Sequence, residues 1–428
     1  MYSFILMLRD WILNGNVHWF VIFYIFILIR WLVVFVPSLF YKGYECDNRN
    51  FFVTVIIPVV DEPIDFFRMV LTKVLDQKPD EVIIAVNGPE NPEFMAGVRR
   101  LTEDWCGVPE HAEARIKTIY TPVPGKRNAI RLGLEETDKR SDIIVLVDSD
   151  VLWTKDTLKN LLMPFSADEA IGGVTTRQKI YKPGRHLVTM VAGILEELRA
   201  EGTMKAMSAT GKVGCLPGRT IAFRTEILRE IMPEFMTETF MGFHKEVSDD
   251  RSLTNLTLKL GYKTVMQESS LVYTDAPATW KKFIRQQLRW AEGSQYNNLR
   301  MTPWMLRNAP LMLVVYWMDM LMPFMLFSVL GNNVLCALFR ALGYHIPGLH
   351  ISQSLAAVFG LIVLGSIVGF GGRNIRSFRR LPLYYILVIP VLTLVLSFVL
   401  APIRILGLMK CADGLGWGTR DTGKEADS

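Results

Sequence analysis

Two kinds of sequence share this chain, and their arrangement limits what it can fold into. Long, nearly unbroken apolar runs sit at the two ends, while the middle mixes apolar and polar residues as a water-exposed domain does. His18 to Phe40 is apolar or aromatic almost throughout, long enough to cross a hydrocarbon core of about 30 Å. Arg30 interrupts that run and must face protein or snorkel, because a charge at mid-bilayer is costly. Before it, Phe4 to Leu13 reads as a short amphipathic piece at the interface, so residues 1–42 are expected to form an interface helix and a membrane anchor. No small-residue cleavage site follows, and the run is expected to be retained rather than removed as a signal peptide.

At the other end, apolar stretches at Ala309–Phe339, Ile351–Phe370 and Leu383–Leu408 suggest membrane helices over residues 309–410. Between the last two, GGRNIRSFRR carries Arg373, Arg376, Arg379 and Arg380, which marks a cytoplasmic loop by the positive-inside rule. The 428 residues, 50% of them hydrophobic, accommodate these spans plus one α/β domain of roughly 250 residues. A net charge of +5, with no Lys/Arg-rich run interleaved with aromatics, argues against nucleic acid as a partner. Cys46, Cys106, Cys215, Cys336 and Cys411 are scattered, with no CxxC and no spaced histidines, which points to reduced thiols in a cytosolic compartment and away from zinc.

Over residues 50–275 the runs VTVIIPVV, EVIIAVNG, RIKTIY and DIIVLVDSD alternate with helical stretches. Strands without internal polar alternation are buried on both faces, which implies a parallel sheet covered by helices. The expected fold is therefore an α/β, doubly wound, Rossmann-like domain inserted between transmembrane helices, with its ligand crevice beyond the strands' carboxyl ends. Residues 276–305, rich in Trp, Arg and Lys, read as amphipathic helix along the interface. The closing GKEADS has a disordered composition.

The motifs fall at those strand ends. Asp148-Ser149-Asp150 follows IIVLV and presents two carboxylates to the crevice, the donor type that hard divalent cations such as Mg²⁺ or Mn²⁺ take while bridging to phosphate. A solvated strand end would look the same. Lys126 and Arg127 open a helix where cations could meet phosphates, or could merely start it. Asp61, Glu62 and Asn87 end the first two strands and suit either nucleoside contacts or turns. Asp249 and Asp250 begin another helix, as N-terminal acids or with one acting as general base toward an acceptor hydroxyl. One base without a second carboxylate nucleophile predicts inversion at the sugar carbon. Gln286, Arg289 and Trp290 occupy the interfacial helix, where Arg289 suits a diphosphate and Trp290 an acceptor sugar, or both anchor the helix in the interface.

Taken in order, Asp-Ser-Asp at 148–150, Asp-Asp-Arg at 249–251, Gln-x-x-Arg-Trp at 286–290 and Trp-Gly-Thr-Arg at 417–420 resemble the processive family 2 glycosyltransferases, the hyaluronan, chitin, cellulose and nodulation-oligosaccharide synthases. The resemblance runs from Val53 to Arg420. Longer blocks such as TPVPGKRNAI and GFHKEVSDDRSLTNLTLK look most similar to a capsular polysaccharide synthase of that group.

This implies a GT-A domain and a processive enzyme that polymerises UDP-glucose and UDP-glucuronic acid into a cellobiuronic-acid capsule. It also implies secretion across the plasma membrane through a channel formed by the spans, with the catalytic domain cytosolic and the growing polymer possibly lipid-primed. By matching motif, Asp148 would sit near the nucleotide, Asp150 would hold the metal and Asp250 would be the base. Gln286, Arg289 and Trp290 would bind donor diphosphate and acceptor, and Cys215, Leu216, Pro217, Gly218 and Arg219 would form the acceptor loop. Trp417, Thr419 and Arg420, within residues 411–428, would close a gating loop over UDP. Asn87 departs from the aspartate common at that position in hyaluronan and chitin synthases.

A carboxylated donor calls for an extra cation, with Arg177, Lys179 and Arg219 as candidates. With the catalytic domain cytosolic, a cytosolic gating loop requires an even number of spans after that domain, so either Leu383–Leu408 is expected to fold back at Pro390 or Pro402, or Ala309–Phe339 to cross twice by breaking near Gly331. Hyaluronan or another UDP-sugar polymer is the alternative product, and transfer of one sugar to a lipid phosphate the alternative reaction.

Overall fold

The computed structural model describes residues 16–47, 49–107, 115–342 and 363–412. The interfacial piece expected at Phe4–Leu13 and the motif Trp417–Arg420 lie outside them. Helix α1, Asn16–Ser38, is followed by alternating strands and helices: β1 Val53–Val59, α2 Ile64–Leu75, β2 Glu81–Asn87, α3 Pro92–Cys106, β3 Arg115–Thr121, α4 Lys126–Glu135 and β4 Ile143–Val147. Then come β5 Val151–Trp153, α5 Thr157–Ala167, β6 Ile171–Ile180, α6 Leu187–Arg199, β7 Thr220–Arg224, α7 Thr225–Met236, α8 Asp249–Lys259 and β8 Lys263–Thr274. The last described helices are α9 Trp280–Asn308, α10 Pro310–Ala341, α11 Ile389–Val395 and α12 Ala401–Lys410.

β1 to β8 form one sheet in the order β3-β2-β1-β4-β7-β6-β8-β5, and Thr239–Phe240 pairs with Phe243–His244 in a separate two-stranded ribbon. β1 and β2 are buried along their whole length, which is why neither alternates polar residues. β3 lies at the edge, where its Arg115 and Lys117 are exposed and discourage pairing with another chain. β1 pairs in parallel with β2 and β4, and β2 with β3. The expectation of a purely parallel sheet fails at β7, which runs antiparallel to both β4 and β6. Its five residues enter directly from the loop at 215–219 and leave into α7, so a short return strand replaces a crossover.

Alternate residues of β1 face opposite cores. Val53, Val55, Ile57 and Val59 pack with Phe67 and Leu71 of α2 and Leu161 of α5. Ile56 faces Ile130 of α4, Leu228 of α7 and Leu253 of α8, in a core that reaches Met301, Met305 and Met312 of α9 and α10. The second core thus ties the sheet to the apolar helices. Fully burying each such side chain contributes about 1.5–3 kcal/mol, so the two parts dock as one body.

Among the described residues, Val21–Ser38, Pro310–Gly331 and Leu383–Lys410 are long and apolar enough to cross a membrane. Arg30 of α1 faces protein, bonding Asp319 of α10 at 2.7 and 3.0 Å, while Arg404 of α12 donates to the Asp319 carbonyl at 3.2 Å. Neither expected reversal occurs. α10 continues as one helix through Gly331, and the chain stays helical from Leu383 to Lys410 through both prolines. Pro390 and Pro402 each fall at the start of a helical segment, where the missing N–H is tolerated.

Arg376 and Arg380, from the basic loop before Leu383, do not simply face solvent. Arg380 bonds Glu201 at 2.9 Å and Glu268 at 2.8 Å, and Arg376 donates to Ser38 at 3.0 Å. Those contacts clamp the sheet domain to the ends of two apolar helices. α9 is held equally close to α12, because a Cβ on Gly407 would lie 2.6 Å from the Cβ of Ala291. The residue preceding Ala291 is Trp290, so this packing sets where the indole stands.

Candidate active site

The parallel strands β1, β2 and β4 end at one rim, and the polar motifs gather there. Asp148 donates its backbone N–H to the Arg219 carbonyl at 3.0 Å, and Ser149 donates to Glu62 at 3.1 Å, which stitches the loops after β1 and β4 to the loop before β7. Lys126 pairs with Asp148. Burial pulls the Lys126 ammonium down, but Asp148, Asp249 and Asp250 outweigh it, leaving its pKa above the ordinary lysine value. Burial, then the charges of Asp148 and Glu62, push the Asp150 carboxyl up to about 6.

Repulsion of that kind is relieved by a cation. Among the described residues no group of three or more His, Cys, Asp and Glu side chains forms a ready-made cage. Asp150 and Asp148 are the carboxylates here that could hold a divalent ion, with water and phosphate oxygens completing its shell.

Four site candidates resolve into two pairs with opposite directions. Arg127, adjacent to Lys126, turns into the interior, where its side chain is only 5% exposed. It bonds Asp249 at 2.9 Å, Glu238 at 2.8 Å and the Phe235 carbonyl at 2.6 Å, with its guanidinium 4.5 Å from the Phe235 ring. The expectation that Arg127 meets phosphate is corrected by this burial. Asp249 is likewise interior, and burial raises its carboxyl against the opposing pull of Arg127 and Lys126. Asp250 stays partly exposed. Its Oδ2 accepts from the Gly218 N–H at 3.1 Å and from the Cys215 thiol at 3.8 Å, and its Oδ1 accepts from the Arg251 N–H at 2.8 Å. Gly218 is needed there, since a Cβ would sit 3.2 Å from the Asp250 Cβ and 3.3 Å from Lys126 Nζ.

The loop 215–219 is split in the same way. Leu216 and Pro217 are buried, and the Pro217 carbonyl accepts from Gln178 at 3.2 Å, so neither offers a side chain to the cleft. Cys215, Gly218 and Arg219 stay partly open. Burial, followed by the Asp250 charge, pushes the Cys215 thiol up to about 11, so it is a neutral contact and no nucleophile. Asn87 is buried, donating to the Val59 carbonyl at 3.1 Å and accepting from the Gly125 N–H at 3.1 Å, which latches β1 to the start of α4. Asp61 is exposed and accepts from Asn91 at 3.0 Å.

α9 completes a small cleft lined by Gln286, Gln287 and Trp290 together with Arg219, Glu196 and Asp275. The Trp290 indole is 40% exposed, with the Arg219 guanidinium 5.8 Å from its centroid. Arg289 is half-buried beside it and is not part of that lining. Behind the cleft, Arg251 bonds Asn298 of α9 at 2.6 Å and lies 5.0 Å from the Tyr316 ring of α10. Reading the motifs missed Glu196, Arg199 and Gln178. Nothing in ILEELRAEG separates Glu196 from its neighbours; only its helical face turns it to Arg219, at 2.7 Å.

A family model described as "Glycosyltransferase like family 2" matches residues 50–293. A hyaluronan synthase of Streptococcus pyogenes serotype M3 is 25% identical over 399 residues, covering 92% of this chain and 89% of that protein. An N-acetylglucosaminyltransferase of Rhizobium meliloti is 27% identical over 286 residues, 66% of this chain and 62% of that protein. Among solved structures, the mannosyltransferase PcManGT from Pyrobaculum calidifontis, in complex with GDP-Man and Mn²⁺, aligns over 92% of this chain and 97% of that one, with TM-score 0.59 and 16% identity. That likeness establishes the mixed sheet as a GT-A fold.

Proposed function

This chain belongs to the glycosyltransferase-like family 2, and from that premise we propose that it is a processive, inverting polysaccharide synthase using UDP-glucose and UDP-glucuronic acid. It is a hexosyltransferase and a membrane protein, with relatives that include a hyaluronan synthase. The finer reading is a plasma-membrane, multi-pass enzyme with a cytosolic catalytic domain, whose sequence blocks resemble the pneumococcal type 3 capsular polysaccharide synthase. Its anchor, catalytic domain, interface helix, channel helices and gating segment are taken as residues 1–42, 50–275, 276–305, 309–410 and 411–428.

The observation that carries this reading is the loop 215–219, whose Gly218 N–H donates to Asp250, whose Arg219 carbonyl accepts from Asp148, and whose Arg219 guanidinium stands 5.8 Å from the exposed indole of Trp290. Asp250 is held by two backbone N–H donors and stays partly exposed, as a base for an acceptor hydroxyl must be. Deprotonated, that hydroxyl attacks the anomeric carbon from the face opposite the departing UDP, which inverts the centre. Mg²⁺ or Mn²⁺ held at Asp150 and Asp148 would neutralise charge developing on the diphosphate. Lys126 supplies a permanent positive charge beside the same phosphates, and Trp290 an apolar platform for the acceptor's terminal sugar. PcManGT, whose structure holds GDP-Man and Mn²⁺, supports both a nucleotide-sugar donor and a divalent ion.

The test supplies purified protein with radiolabelled UDP-glucose and UDP-glucuronic acid, singly and together, with Mg²⁺ or Mn²⁺. High-molecular-weight product only with both donors is expected. One sugar added to lipid would overturn processivity. The hyaluronan synthase likeness over 92% of the chain favours one second reading, in which UDP-N-acetylglucosamine replaces UDP-glucose, and a third donor arm decides it.

A further inference from the structure

Beside Trp290, two arginines share a single carboxylate. Arg219 Nη1 bonds Glu196 Oε1 at 2.7 Å and Gln178 Oε1 at 2.7 Å. Arg199 Nη2 bonds the other oxygen of Glu196 at 2.6 Å and the same Gln178 oxygen at 3.1 Å. Glu196 is thus divided between two guanidinium groups, and the further carboxylates that Arg219 feels are Asp150 and Asp148, where the divalent ion would bind. Glu196 is already anionic, since the two arginines outweigh its burial and hold its carboxyl below the usual range. The Arg219 side chain is only 13% exposed, so water screens its charge poorly. Asp275 also lines the cleft, but it is exposed at the mouth, where solvent damps its charge.

The other cations nearby are already spent. Arg177 is bound by Glu197, by Glu201 at 2.7 Å and by Glu268 at 2.8 Å, with its side chain 3% exposed. Lys179 pairs with Glu197 at 4.0 Å. Arg219 is the one of the three that lines the cleft, and its bonds to Glu196 and Gln178 both run through Nη1, leaving Nε and Nη2 as further donors.

We propose that Arg219, backed by Arg199, is a carboxylate-binding subsite that holds the carboxylate of a uronic acid sugar. This rests on the uronic-acid reading above. Guanidinium and carboxylate match in shape and charge, and the pair would be shielded by the Trp290 ring on one side and Gln286 on the other. Glu196 and Gln178 fix the guanidinium plane, so the subsite is pre-formed. The carboxylate belongs either to the incoming donor or to the acceptor's last sugar, and in both cases the same atoms read it. Such a subsite distinguishes the charged from the neutral sugar at a single active centre.

The test uses the full chain in lipid nanodiscs with Arg219→Gln, Arg219→Lys and Arg199→Gln, each checked for wild-type melting. Initial rates with UDP-glucuronate are compared with those for UDP-glucose. Inhibition by glucuronate-ended oligosaccharides is compared with that by glucose-ended ones. Arg219→Gln is expected to lose about tenfold or more in selectivity for the carboxylated member of one pair, the scale of one charge-assisted hydrogen bond. Loss confined to the donors assigns the donor carboxylate; loss confined to the oligosaccharides assigns the acceptor. Arg219→Lys should recover part of the loss, and Arg199→Gln should show a smaller loss in the same direction.

An equal loss for charged and neutral ligands, as a diphosphate grip would give, overturns the subsite, and so does no loss. A wild type that ignores the carboxylate in both pairs overturns the uronic-acid reading as well.

Discussion

Replacing Arg127 separates two roles that its position beside Lys126 confounds. The side chain lies between Asp249 and Glu238, which are 6% and 0% exposed, and it also donates to Ser252 at 3.2 Å. In Arg127→Met, Glu238 keeps Arg300 as a partner, but Asp249 loses its direct one. Breaking a buried pair by removing one member costs about 3–5 kcal/mol, a large share of a typical total near 5–15 kcal/mol. For a domain of this size that corresponds to a fall of about 6–20 °C in Tm.

The pH dependence has a definite sign. Burial already holds the Asp249 carboxyl above its ordinary value, and losing Arg127 raises it further. The folded variant then binds a proton that the unfolded chain does not, so its stability falls as pH rises and the deficit against wild type shrinks toward acid pH. Scanning fluorimetry in nanodiscs reads the melting, and initial rates on the folded fraction read the chemistry. The double variant Arg127→Met/Asp249→Leu should recover most of the lost stability, because an apolar pair leaves no charge behind. If Arg127→Met melts like wild type while the donor KM rises, Arg127 grips the donor and its assignment as an interior strut is refuted. A double variant no more stable than the single would refute the pairing.

Further outcomes follow from the same geometry. Asp250→Asn should lower kcat by about 10²–10⁴ with UDP binding by calorimetry unchanged, as loss of a general base requires; unchanged turnover would remove Asp250 from the chemistry. Chelation should abolish polymer formation, with Mg²⁺ or Mn²⁺ restoring it to wild type but not to Asp150→Asn, monitored by incorporation of labelled sugar. Gly218→Ala places a methyl group 3.2 Å from the Asp250 Cβ and 3.3 Å from Lys126 Nζ, so turnover should fall while circular dichroism stays native. Wild-type rates would show that this contact yields freely.

The parts of the fold legible in the sequence are those set by short-range patterning. β1, β2 and β4 fall within a few residues of the expected runs, because a strand buried on both faces must be apolar at nearly every position. The long apolar helices follow from length and composition in the same way. Asp148-Ser149-Asp150 was recognisable since a strand end in such a sheet faces the crevice whatever its neighbours do. Direction, however, is not written locally. Lys126 and Arg127 are adjacent cations on α4, yet about 100° of helix rotation sends one to Asp148 and the other to Asp249.

The same rotation turns Asp249 inward and Asp250 outward, a difference that adjacent carboxylates cannot announce. β7 reads as any short apolar strand, and its antiparallel pairing depends on where the loop at 215–219 returns the chain. Glu196 and Arg219 are 23 residues apart and become one cluster only when α6 packs beside β6 and β7. Sequence alone therefore determined the first strands of the sheet, the long apolar helices, and which residue types could carry glycosyl transfer. Tertiary packing decided which of those side chains share the cleft, because that depends on contacts between distant segments rather than on the periodicity within any one of them.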